Sequence, residues 1–105
     1  MDDLEDSEIL RVAGAVEEVD RGQYRARLSE IYTVAGHPHG GYLQTVVASA
    51  ALAAASAEGA PHLHASAVTT NYVGASEPGV VSLGVEVRRV GRGASFAHVT
   101  MRQNE

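Results

Sequence analysis

Between Tyr42 and Ala57 the sequence carries no charge, no proline and no glycine, and alanine is its commonest residue. Alanine is the best helix former, so this run is expected to be a helix. Only Gln44, Thr45, Ser49 and Ser56 interrupt its apolar surface, and none of them is charged. A helix without a charged face belongs inside a protein, and its small side chains let neighbours approach closely. Its end is marked by Glu58-Gly59-Ala60-Pro61, a glycine cap followed by proline. Ahead of it, Gly36-His37-Pro38-His39-Gly40-Gly41 is expected to be a loop, because proline and paired glycines disfavour helix. The most apolar part, Val46 to Ala57, is too short and too weakly apolar to cross roughly 30 Å of hydrocarbon.

A single helix of this kind needs a sheet that curls around it. Tyr24, Ala26 and Leu28 alternate with Gln23, Arg25 and Arg27, the period of a half-buried strand. Ile9 to Val19 is read as a short helix or a further strand, its apolar spacing fitting neither template well. After the helix, His64 to Val73 is a strand candidate, followed by a turn at residues 74–79. Val81, Leu83, Val85 and Val87 alternate against Ser82, Gly84, Glu86 and Arg88. Beyond the Gly91-Arg92-Gly93 turn, Ser95, Ala97, Val99 and Met101 alternate against Phe96, His98, Thr100 and Arg102. Runs joined by short glycine turns read as an antiparallel meander. The expected class is α+β.

The 105 residues set a ceiling of one domain. Residues 1–8 hold five carboxylates and read as an acidic lead-in, leaving 9–105 as the folded unit. A net charge of −5 argues against sequence-independent nucleic-acid binding, which needs a positive field. The lack of cysteine excludes thiol catalysis and thiolate metal sites. The acidic start is unlike an export signal, so a cytoplasmic protein with no membrane partner is expected.

Taken in order, several stretches resemble the N-terminal half of a hotdog-fold thioesterase. They are His37-Pro38-His39-Gly40-Gly41-Tyr42-Leu43, the alanine-rich helix, Thr70-Asn71-Tyr72-Val73, Val90-Gly91-Arg92-Gly93-Ala94-Ser95 and Gln103-Asn104. The resemblance is narrowest to the acyl-CoA thioesterase II and thioesterase-like families, in which two hotdog units are fused. It covers Tyr24 to Asn104. It implies a curved antiparallel sheet wrapped around one central helix, an acyl-CoA substrate and no cofactor. It also implies one more strand after the glutamine, so an incomplete unit, a fragment or one piece of a split polypeptide, is expected. The partner would be a second hotdog unit, supplied by a homo-oligomer or by a missing C-terminal half.

Thioester hydrolysis needs a polarised carbonyl, an activated water and room for the acyl chain. Leading helix amides lack intrahelical partners and sit at the positive end of the helix dipole. His39-Gly40-Gly41-Tyr42 is therefore a candidate oxyanion site, with Gly41 and Tyr42 as amide donors and Gly40 allowing close approach. The alternative is that Gly40-Gly41 only turns the chain into the helix. The helix carries no Asp or Glu to act as base. In the thioesterase II pattern the catalytic aspartate, the threonine or serine and the glutamine lie in the second unit. Gln103 holds the first-unit counterpart of that glutamine, where it could orient a water or simply end a strand.

His39, beside the glycines, is the candidate imidazole. The pairs His37/His39 and His62/His64 could bind a metal, but no thiolate or spaced carboxylate accompanies them, so none is expected. Thr70, Asn71 and Tyr72 are candidate groove residues. Arg88, Arg89 and Arg92 cluster at a turn, where Arg92 could meet the phosphates of coenzyme A. Two functions follow: an acyl-CoA thioesterase unit completed by a partner, or a non-catalytic hotdog that binds acyl thioesters or dimerises.

Overall fold

The first strand of the structure, a computed structural model describing residues 14–62 and 64–103, is β1 (Glu17–Asp20). It turns through Gly22, at φ +73°, into β2 (Gln23–Leu28). A 3-10 turn at Glu30–Tyr32 follows, capped by the Ser29 hydroxyl, which accepts the Ile31 amide. Two short strands, β3 (Thr33–Val34) and β4 (His37–Pro38), form a hairpin whose turn residues Ala35 and Gly36 both have positive φ. Helix α1 spans Gly40–Ala57, and β5 (Gly79–Arg89) and β6 (Phe96–Arg102) complete the chain.

The four longer strands form one antiparallel sheet in the order β1-β2-β5-β6. Tyr24, Ala26 and Leu28 face the helix, as their alternation predicts, and pair with Leu83, Val81 and Gly79 of β5. On α1, Tyr42, Val46, Ala50 and Ala54 are buried against them, one residue every fourth position and hence one stripe. Val46, Ala50 and Leu83 are fully buried, and each large aliphatic side chain placed there contributes about 1.5–3 kcal/mol. No helix among the described residues is long and apolar enough to cross a membrane.

Three sequence expectations change. Gly40 and Gly41 lie inside the helix rather than in a loop before it. The first-turn amides need no intrahelical acceptor, so glycine costs little there. Residues 64–73 form no strand: β2 and β6 already occupy both edges of β5, and no backbone ladder reaches the segment. The meander therefore reduces to the β5–β6 pair. Of the stretch Ile9 to Val19, Glu17–Val19 is β strand, while 9–13 and the acidic 1–8 lie outside the described residues. The helix ends as expected. Gly59, at φ +90°, donates to the Ser56 carbonyl and Ala60 to that of Ala55, a Schellman cap.

Candidate functional site

The lack of a charged face on α1 has a structural reason beyond the core. One stripe, Tyr42 to Ala54, packs on the sheet, and the adjacent stripe, Leu43, Val47, Ala51 and Ala55, lines a groove of about 1100 Å³. Residues 64–76 arch over this groove as a strap, and β6 forms its other wall, with Phe96 at one end and Met101 at the other. No Asp or Glu is among the described residues lining it. Tyr72, Val68 and Phe96 remain exposed, which leaves its rim apolar.

The helix N-terminus lies at one end of the groove. His39 is the N-cap, and its Nδ1 accepts the Tyr42 amide at 3.1 Å, so that nitrogen carries no hydrogen. The imidazole also meets the Tyr32 ring edge-on at 6.1 Å. The Tyr42 amide is therefore engaged. Among the described residues no acceptor meets the amides of Gly40 and Gly41. The Tyr42 side chain is 1% exposed, and its hydroxyl accepts the Ser29 amide at 2.8 Å, fastening the helix start to the end of β2.

The predicted residues divide into three groups. Thr70, Asn71, Tyr72 and Gln103 line the groove. Tyr72 reaches across to the helix start, donating its hydroxyl to the Gly40 carbonyl at 3.0 Å, and Thr70 accepts from Gln44 Nε2 at 3.3 Å. His39, Gly41 and Tyr42 stand at the helix start, outside the groove lining. Arg92 is apart from both groups, in the β5–β6 turn. His62, beyond the helix C-terminus, donates Nε2–H to the Gly91 carbonyl of that turn at 2.9 Å. The 18-residue helix, about 27 Å long, separates this end from Gly40. Arg88 pairs with Glu86.

Sequence reasoning missed Gln44, and weighed His37 only as half of a metal-binding pair. The signal for Gln44 was available, as a lone amide in an apolar helix needs a partner. His37 Nδ1 meets the Ser76 carbonyl at 2.9 Å across a long sequence separation, which no local pattern announces. No cluster of three or more His, Cys, Asp or Glu suited to a metal occurs among the described residues.

An antiparallel sheet closed on one apolar helix, with a groove along the helix flank, is the architecture of a hotdog unit. Residues 28–105 match the family described as acyl-CoA thioesterase N-terminal domain, and the chain belongs to that family. Among solved structures it is similar to a protein assigned as a thioesterase II from Thermobifida fusca YX, with 25% identity and a TM-score of 0.76. That similarity covers 90% of this chain and 34% of the other, so the chain spans about a third of the length of this relative. No curated protein matches it.

Proposed function

We propose that this chain is the acyl-binding unit of an acyl-CoA thioesterase, and that a partner hotdog unit completes the active site. The observation that carries the reading is the second apolar stripe of α1, which lines an open groove, with Leu43 and Val47 also packed on the core edge. An acyl tail laid from Leu43 toward Ala55 would cover about 18 Å of helix and shield apolar surface from water. Its thioester would then sit near the Gly40–Gly41 amides. There, water adds to the carbonyl, the amides stabilise the oxyanion, and the C–S bond breaks to give free acid and coenzyme A. The proton leaving the water passes to a base and then to the departing sulfur. No carboxylate is among the described residues lining the groove, and in this reading the base comes from the partner. In this reading Gly41, with Gly40, supplies the donors, His39 and Tyr42 hold them in place, and Thr70, Asn71 and Tyr72 contact the substrate. Arg92 would reach coenzyme A only from the far end of the groove.

The partner has a place to dock. Among the described strands β6 is the outermost of the sheet beside β5, and an outer strand presents unpaired backbone groups. The missing carboxylate also supports the second reading, a hotdog that binds acyl thioesters without hydrolysing them. Titration of the purified chain with acyl-CoAs of increasing length, alongside a thiol-release assay and a solution mass, tests both. The proposal expects affinity to rise with chain length and turnover to appear only when a carboxylate-bearing unit is present. Failure to bind any acyl-CoA overturns both readings, and binding with no turnover in the completed assembly leaves the second.

A further inference from the structure

The strap of residues 64–76 forms a wall of the groove without a single ladder hydrogen bond. Side chains hold it instead, and the grip is densest at Ser76 and Glu77. From β4, His37 meets the Ser76 carbonyl; since a carbonyl only accepts, Nδ1 of His37 carries the hydrogen. From the end of β6, Gln103 Oε1 accepts the Glu77 amide at 2.9 Å, and Nε2 donates to the Glu77 carbonyl at 2.8 Å. The Gln103 amide thus reproduces the donor–acceptor pair of a β-bridge with Glu77, the residue that follows the strap. The strap's last residue and the one after it are gripped from two different elements. Beside this grip the Ser76 hydroxyl oxygen is buried with no partner among the described residues, a cost that other contacts of the latched strap must offset.

We propose that His37 and Gln103 are positioning residues, a two-point latch on Ser76–Glu77 that fixes the groove width near the helix N-terminus and so the bulk of acyl group admitted. The geometry carries it. β6 and the strap are the two walls of the groove, and Gln103 is the side chain that ties the end of one to the end of the other. Both polar atoms of the Gln103 amide are already engaged, so its first task is to hold the wall. The specificity clause rests on the acyl-CoA reading above; the latch itself does not.

The test uses the full chain with Gln103→Ala, Gln103→Glu and His37→Ala. Amide hydrogen exchange and titration with butyryl-, isovaleryl-, octanoyl- and palmitoyl-CoA are the two readouts. Losing two hydrogen bonds in Gln103→Ala should speed exchange of the Glu77 amide, whose acceptor is removed, at least about 5-fold while amides of β2 and β5 keep their protection. Gln103→Glu keeps an acceptor for the Glu77 amide but has no donor for its carbonyl, so it should fall between. Affinity for the branched isovaleryl group should rise at least threefold relative to the straight chains in Gln103→Ala and His37→Ala. Unchanged Glu77 exchange in Gln103→Ala, or uniform weakening toward all four ligands with protection lost throughout, would overturn the latch. If the wild type binds none of the four, the thioesterase reading fails, and the exchange data still decide the latch.

Discussion

Replacing Gly40 by alanine separates global from local stability at the helix entry. A Cβ there would lie 2.8 Å from the Tyr72 hydroxyl and 3.2 Å from Cζ, too close for either atom. Tyr72 is 53% exposed, so its ring can swing outward, and the loss is confined to its hydrogen bond with the Gly40 carbonyl. An exposed bond of this kind contributes about 0.5–1.5 kcal/mol. Against it, Gly→Ala at a position without positive φ gains about 0.4–1 kcal/mol by narrowing the unfolded ensemble. The two nearly cancel, so the urea midpoint of Gly40→Ala should correspond to a stability within about 0.5 kcal/mol of wild type. Opening of the strap feels only the lost bond, because the entropy gain belongs to the unfolded chain. The Tyr72 ring should therefore leave Gly40 about 2- to 10-fold more often, seen as weakened nuclear Overhauser contacts between the ring and the first turn of α1. Tyr72→Phe loses the same bond without the glycine gain and should show the same local loosening with a small global loss. A global cost above about 2 kcal/mol for Gly40→Ala, or unchanged ring contacts in both variants, would refute the reasoning.

Other substitutions probe the scaffold. Ala35 sits at φ 54° in the β3–β4 turn, where an L-residue is strained and asparagine is tolerated. Ala35→Asn should raise stability by about 0.5–1 kcal/mol in a urea titration, and a loss would contradict the turn geometry. Tyr42→Phe keeps the buried ring but leaves the Ser29 amide unpaired; thermal melts should show a loss of about 1–2 kcal/mol. Burial first, and then the carboxylate of Glu18 paired across the ladder, raise the Tyr24 phenol above the usual tyrosine range. The folded state thus holds this proton more tightly than the unfolded chain, so its contribution is full below about pH 10 and lost as pH rises through the folded value. Melting between pH 9 and 11.5 should steepen in the wild type more than in Tyr24→Phe; equal slopes would count against it.

Features that depend on local periodicity were readable before the structure. The alternation of Tyr24, Ala26 and Leu28 and that of Val81 and Leu83 each put one face on the core, as found. The uncharged run after Tyr42 announced the central helix and its glycine cap. The strap was misread because Val68, Thr69, Thr70, Tyr72 and Val73 have strand-forming side chains, yet a strand also needs a free neighbouring edge, which no local pattern encodes. The same limit hid the groove. The sequence showed a helix apolar almost all round, but only the tertiary arrangement divides Val46 and Ala50, which face the sheet, from Val47 and Ala51, which line the groove. His39 and Gln103 were singled out for chemistry, and the structure shows what each one holds: the Tyr42 amide and the Glu77 backbone.

The most direct test of the acyl-binding account is a backbone-amide NMR titration of this chain with a hydrolysis-resistant decanoyl-CoA thioether. The account predicts saturable shifts along the groove, at Val47, Ala51, Tyr72, Phe96 and Met101, together with Gly40 and Gly41 at the helix start. Shifts confined to the polar outer face of the sheet, at Gln23, Ser82, Gly84 and Glu86, would contradict it, as would no shifts at all.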